Sequence, residues 1–444
     1  MSETVSLELD GIQSGVLRAR PSPYAGRYLF FRVDDGKAGR ELLRRVLPSI
    51  ASAADSASPA GEAWVSAAVT YQGLKALGVP QDSLASFPDE FRQGMAARAA
   101  ELGDVGDNAP ANWEQPLGSP DVHIAFVALA PDAARLESVL KLAGEAYKNL
   151  SGVELIWRQD CYALPTGREP FGFKDGISHP AVEGSGMPGS NPRERPIKAG
   201  EFVLGYLDER GQMPVMPLPE ALGRNGTYVA FRKLHQRVAA FRQYVRANAA
   251  SPDAEEFLAA KIVGRWPSGA PLVLAPERDD PEMGADPLRN NDFLFDADDD
   301  VKGLKCPIGS HIRRMNPRDE QGRGDVNLHR MIRRGTAYGP LLPEGGLDDD
   351  GADRGLCFVF VGANLRRQYE FVQTEWVNKG LFFGSPSETD PLVGPNDKGG
   401  QFTIPKDPIR RRLKGLPPFV VVRGGEYFFV PGLRALQWLA DLTT

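Results

Sequence analysis

The order in which strand-like and helix-like segments alternate over the first third of the chain constrains its fold most. Tyr28-Leu29-Phe30-Phe31-Arg32-Val33 is short, aromatic and bounded by Gly26 and the Asp34-Asp35-Gly36 turn, which predicts a strand. Leu42, Leu43, Val46, Leu47 and Ile50 follow at helical spacing, so an amphipathic helix comes next. Trp64 to Thr70 and His123 to Leu129 read as two further strands, Leu136, Val139, Leu140 and Leu142 as a second helical stripe, and Val153-Glu154-Leu155-Ile156-Trp157 as a fourth strand. A βαββαβ order of this kind is that of a ferredoxin-like unit.

Beyond Val182 the periodicity breaks in a Gly/Pro-rich stretch reaching Gly200, then restarts. Glu201 to Tyr206, Thr227 to Phe231 and Leu356 to Val361 read as strands, Val238 to Arg246 and the Tyr369-Glu370-Phe371 region as helices, and Phe419 to Val422 with Tyr427 to Val430 as a hairpin across Gly424-Gly425. No sequence repeat is visible, yet the second half resembles the first in element order. The expected class is therefore α+β, with two ferredoxin-like domains of antiparallel sheet flanked by helices, 1–200 and 201–444. The 48 glycines and 37 prolines, about a fifth of 444 residues, exceed the average of roughly 12% and predict long irregular connections.

Fifty-two basic against 58 acidic side chains argue against a surface built for nucleic acid. No run approaches the roughly 18 apolar residues of a membrane helix, and Met1-Ser2-Glu3-Thr4 lacks the blocks of a signal peptide. A cytoplasmic protein is expected, with a homo-oligomer left open. Cys161, Cys306 and Cys357, far apart and odd in number, fit reduced, buried thiols.

Five histidines can be weighed singly. His123 sits in an apolar strand, His235 reads as a solvated helical residue, and His329 has no partner at metal-ligand spacing, so zinc is not expected. His179 lies in Phe171-Gly172-Phe173-Lys174-Asp175-Gly176-Ile177-Ser178-His179-Pro180, and His311 in Cys306-Pro307-Ile308-Gly309-Ser310-His311-Ile312-Arg313-Arg314-Met315-Asn316-Pro317-Arg318. Both segments can be plain turns. An imidazole on an irregular segment, arginines suited to carboxylates, Arg333-Arg334-Gly335 and an aromatic strand are also what a haem requires: one axial ligand, cations for two propionates and an apolar slot.

Taken with Val263-Gly264-Arg265-Trp266-Pro267-Ser268-Gly269-Ala270-Pro271 and Phe231-Arg232-Lys233-Leu234, these segments resemble the dye-decolorizing peroxidases over nearly the whole chain, from Gly11-Ile12-Gln13 to the last strand and helix. The resemblance implies a peroxidase with one haem b per chain, held mainly by the second domain. It would reduce hydrogen peroxide through a ferryl intermediate and oxidise dyes, phenolic or other aromatic donors. Carried over by position, His311 is the axial iron ligand; its other ring nitrogen needs an acceptor, for which Asp390, before Pro391-Leu392-Val393-Gly394, is the candidate, though Asp390 equally reads as a turn cap. Asp175 is the acid/base, and Arg333 the cation above the iron, with Arg334 the competing choice. In an extended segment Met331 and Arg333 share one face, Ile332 and Arg334 the other, so only one arginine can reach the site.

The same resemblance sets Gly176, Ile177 and Ser178 along the haem edge and Asn316, Pro317 and Arg318 beyond the ligand. Arg318 would meet a propionate, with Arg314 the second choice. Leu356 and Phe358 match apolar pocket positions and equally suit plain core. Tyr338, Trp376 and Trp266 either relay oxidising equivalents to bulky donors or simply pack. A non-catalytic haem carrier is the rival reading, and Asp175 with Arg333 separates the two, since a carrier needs no proton-transfer group or cation over its iron.

Overall fold

A computed structural model describes residues 6–55, 63–320, 325–381 and 384–443, apart from the side chains of 142–144. Met1 to Thr4 and the Leu142 side chain thus lie outside the described part. Strands β1 (Ala25–Val33), β2 (Trp64–Val69), β3 (Ile124–Ala130) and β4 (Val153–Tyr162) pair antiparallel in the order β4-β1-β3-β2, with helices Gly36–Val46 and Ala133–Tyr147 as the crossovers. The first helix starts where the Asp35 carboxylate accepts the Lys37 N–H, an N-cap. It buries Ala38, Leu42, Leu43 and Val46, the stripe its spacing predicts.

The second half repeats the pattern. Strands β5 (Thr227–Gln236), β6 (Ile332–Arg333), β7 (Thr336–Tyr338), β8 (Gly355–Gly362), β9 (Gly400–Ile404), β10 (Arg411–Leu416) and β11 (Val420–Val430) follow in sequence. The order is β11-β5-β8, with β6 and β7 both on the far edge of β8, and β9 and β10 forming a separate antiparallel pair. Counting β6 and β7 as one interrupted strand, each half reads fourth-first-third-second. The halves fuse where Phe429 of β11 stands opposite Val69 of β2, giving one nine-stranded sheet.

That sheet curls until its two ends meet. The Ala337 N–H donates to the Tyr24 hydroxyl at 2.7 Å, the Tyr28 and Thr336 hydroxyls are 3.0 Å apart, and Cys161 lies against Cys357. Because side chains alternate across a strand, Tyr28, Phe30, Trp64, Phe231 and Phe428 fill the interior. Phe31, Val65, Phe126, Phe360 and Phe429 form the outer layer beneath the helices.

Three expectations need correction. Glu201 to Tyr206 is not a strand: a 3-10 turn over Ala199–Glu201 leads into Phe202, Val203 and Leu204, all fully buried, and a run buried on every side has no need of a sheet's alternation. The hairpin across Gly424-Gly425 is one continuous strand, with a bulge between Val422 and Gly424; a Cβ on Gly424 would stand 2.3 Å from the Leu117 side chain, so only glycine fits. His235 lies on β5, not a helix, because β5 runs on to Gln236, and its Nδ1 meets Asp353 at 3.0 Å.

Between β4 and the turn at Ala199 the chain forms no helix, and only a single bridge joins Val182 to Ile197. This strap leaves the first half and lies on the second, where Phe173 packs with Phe241, Tyr244, Leu258, Phe402 and Phe419.

Candidate active site

Asp175 stands on that strap. Gly172 and Gly176 on either side have φ of +101° and +77°, angles a Cβ resists. The turn is fixed by the Glu169 carboxylate, which accepts the N–H groups of Phe171 and Phe173, each at 3.0 Å, and the Gln236 amide at 2.6 Å. Burial pushes the Glu169 carboxyl up to about 7, since its partners are neutral donors without a cation. Lys174 ties the next residue down, its N–H to the Pro267 carbonyl and its Nζ to that of Gly284.

Asp175 is enclosed by protein mass, yet its side chain is exposed; it therefore faces a hollow inside the molecule. Burial raises its carboxyl, but Arg333, Arg20, the Gly176 N–H and His179 outweigh that and hold it below the ordinary range. Arg333 donates to the Ser178 carbonyl at 3.3 Å and pairs in register with Phe360, which puts it on the outer, helix-covered face of the sheet. Arg334 points the other way, into the barrel, where it donates to the carbonyls of Gly15, Val16 and Leu17. Only Arg333 shares a face with Leu356 and Phe358. Those two, with Leu234, Met331 and Ile177, are only partly buried, unusual for apolar side chains under a helical layer and expected if they line the hollow.

His311 opens a five-residue helix, His311–Met315, anchored by the Ser310 hydroxyl on the Lys261 carbonyl at 2.6 Å. Its Nδ1 meets Asp390 at 3.0 and 3.2 Å, and Asp390, fully buried, also accepts the N–H groups of Leu392 and Val393. Asp390 is thus both the partner of His311 and a turn cap. Burial acts to raise its carboxyl, and His311 and Arg314 overcome this to lower it. The arrangement fixes the imidazole and leaves Nε2 for a ligand.

Arg314 is spent on the carbonyls of Gly309, Trp376, Lys379 and Glu388. Arg318, at φ +57°, gives its NH1 to the Phe293 carbonyl and its NH2 to Asn291 Oδ1, and stacks on Phe293 at 3.7 Å. Its nearest carboxylate, Glu194 at 3.7 Å, is shared with Arg330 at 2.8 Å. Arg265 is buried on carbonyls and the same Asn291, and no carboxylate among the described residues pairs with it. Burial lowers Arg265 to about 9 and Arg318 to about 10. Asn316, Pro317 and Ile312 adjoin; the Asn316 amide N–H group faces the Glu194 carboxylate, while its Oδ1 and Nδ1 of His179 are buried without a hydrogen-bond partner.

These observations test the fit of a haem. A hollow with apolar walls, a positioned imidazole, more buried cation than anion and buried polar atoms without partners suit a flat apolar ring bearing two carboxylates. Of the candidate relays, Tyr338, Trp376 and Trp266 are 1%, 1% and 4% exposed, so none is itself a surface group. Glu169 and Arg20 are neighbours of Asp175 that motif reading did not single out, and Arg265 entered it only as part of the Val263 to Pro271 run, with no role given.

Comparison with known proteins identifies the family. The family model for the DyP dimeric alpha+beta barrel domain matches residues 11–150. Peroxidase 2 of Mycetinis scorodonius is 33% identical, covering 98% of this chain and 88% of its own length, and a dye-decolorizing peroxidase of Auricularia auricula-judae is 30% identical over 97% and 86%. A solved dye-decolorizing peroxidase in complex with 2,6-dimethoxyphenol superposes with a TM-score of 0.85 at 30% identity, covering 98% of this chain and all of the other. The fungal enzyme from Auricularia auricula-judae gives 0.86 at 26% identity, with 98% and 100% covered. Fold and site define a peroxidase of α+β barrel architecture. This chain belongs to the dye-decolorizing peroxidase family.

Proposed function

We propose that the protein binds one haem b in the hollow between the outer face of β8 and the His311 helix, and uses it to oxidise dyes and phenols with hydrogen peroxide. The observation that carries this reading is an ionised carboxylate, Asp175, deep in the protein yet exposed, beside the one arginine of the Arg333-Arg334 pair that shares its apolar face. Bound there, haem supplies the iron at which the peroxide O–O bond breaks and which holds the oxidising equivalents until donors take them.

The chain's own residues do the rest. His311 offers Nε2 to the iron while Asp390 holds its Nδ1. Asp175, kept ionised by Arg333, accepts the proton of the near peroxide oxygen and returns it to the departing one. Arg333 offsets the negative charge that develops as the bond lengthens. Asn316 and Arg318 would receive a propionate, with Arg265 adding positive charge nearby, and Gly176, Ile177, Ser178, Leu356 and Phe358 would line the pocket that holds the ring. A mere haem carrier gains nothing from an acid/base and a cation placed together, which favours the enzyme.

The test has two arms. Haem titrated into the purified protein gives a Soret band that His311→Ala weakens or shifts; an unchanged spectrum removes His311 from the iron. Stopped-flow reaction with peroxide should slow by about 10²-fold or more in both Asp175→Asn and Arg333→Leu. Wild-type rates in both variants sink the assignment.

A further inference from the structure

Read along the sequence, the three cysteines are far apart; folding brings two of them together. Cys161, near the end of β4, and Cys357, on β8, lie 196 residues apart in the chain, with their sulfurs 3.8 Å apart. We propose that Cys161 and Cys357 are a peroxide-responsive thiol pair that closes to a disulfide across the seam of the barrel.

The placement carries the argument. Cys161 stands opposite Gly26 of β1, and Cys357 opposite Thr336 of β7. Tyr28, two residues beyond Gly26, reaches Thr336 with its hydroxyl, so the pair sits where the two ends of the sheet touch through side chains instead of backbone. A disulfide needs sulfurs at about 2.05 Å. The sulfurs must approach by a little under half of their present separation, and no ladder hydrogen bond joins β4 to β8 to resist it. The third thiol, Cys306, is buried elsewhere, with its sulfur 3.9 Å from the Gly264 carbonyl, and is an internal control.

An oxidant is at hand, since hydrogen peroxide is this family's substrate. It is a small uncharged molecule, and Tyr28 and Val359, the latter two residues from Cys357, line a hollow of about 70 Å³ inside the barrel. In the first step one sulfur takes a hydroxyl from peroxide, giving a sulfenic acid and one water. The second thiol then displaces that hydroxyl as a second water, forming the S–S bond. Two thiols lose two protons and two electrons, and one peroxide becomes two waters. Both thiols are buried, and burial pushes the Cys357 thiol well above its ordinary range. The reactive thiolate is therefore scarce, and the pair responds when peroxide outlasts its reducing donors, not during ordinary turnover. The bond would staple the first half of the sheet to the second under the conditions that endanger the fold.

The haem-loaded protein is exposed to a small excess of hydrogen peroxide without donor, quenched with catalase, denatured, alkylated with N-ethylmaleimide and mapped without reduction. Alkylated thiols should fall from three to one, with Cys306 still labelled and a Cys161–Cys357 linked peptide that dithiothreitol reverses. Cys161→Ser should yield no linked peptide and keep its two remaining thiols. Three labelled thiols after exposure, a link through Cys306, or sulfinic acid at either residue without the linked peptide would each overturn the proposal. Because thiol counting does not depend on donor oxidation, a failed peroxidase assay and a failed thiol result are told apart.

Discussion

Asp175 and Glu169 are carboxyls six residues apart on one strap, and their surroundings send them in opposite directions. Burial acts to raise both; Arg333 and Arg20 reverse it at Asp175, whereas Glu169 has only neutral donors and rises to about 7. Removing the leading cation should therefore move Asp175 upward. In Arg333→Leu the acid limb of kcat/KM for peroxide is expected at higher pH than in the wild type, in addition to the lower plateau. A limb that stays in place would show that Arg333 does not set the ionisation of Asp175. The sign for stability follows the same logic: a carboxyl depressed in the folded state stabilises it above the unfolded pKa, and that contribution is lost as pH falls through the folded value. Strand parity made it legible that only one of Arg333 and Arg334 could reach the site, because Met331, Ile332, Arg333 and Arg334 alternate faces as written; the preference for Arg333 came from the family resemblance. The pairing of His311 with Asp390, 79 residues away, was reachable only through a family resemblance, since no spacing rule spans such a loop.

At the scale of elements, the strap holding Asp175 is tied down by Glu169 as well as shaped by its own glycines. Glu169→Ala frees the Phe171 and Phe173 N–H groups and the Gln236 amide, so the turn should loosen. The expected result is a fall in kcat with haem content and Soret position unchanged, checked by turnover and absorption on one sample; loss of haem instead would mean that Glu169 supports the cofactor pocket. The opposite ionic sense gives a second readout. A carboxyl raised in the folded state favours folding below its unfolded pKa, and that advantage is lost as pH climbs to about 7. Glu169→Gln should flatten the slope of stability against pH over this window in urea titrations, and a slope equal to the wild type's refutes the assignment. Sequence alone placed the regular elements well, because Leu42, Leu43 and Val46 or Leu356, Phe358 and Phe360 carry clear periods. It misread Glu201 to Tyr206 and the Gly424-Gly425 region. There the deciding contacts are tertiary: a segment buried all round, and a glycine pressed on Leu117.

For the whole molecule, the two ferredoxin-like halves share the two largest cores, one on each face of the sheet. Leu29, Val65 and Phe126 of the first share one cluster with Tyr228, Phe360 and Phe429 of the second, and Tyr28 and Phe30 pack on Phe231 and Phe428 inside. Thermal unfolding followed by circular dichroism and by calorimetry should then show one coincident transition; two resolved steps would mean that the halves are separable. The twofold element order was legible in sequence. The seam between the halves was not, because it rests on single contacts such as Phe429 with Val69. The strap has a consequence for engineering. It begins in one half and delivers Asp175 to a surface built by the other, so activity reports whether both halves are seated together. If the proposed roles hold, a chain cut within the irregular stretch after Pro180 would be a two-fragment reporter, one piece bringing Asp175 and the other His311, with donor oxidation expected only on reunion.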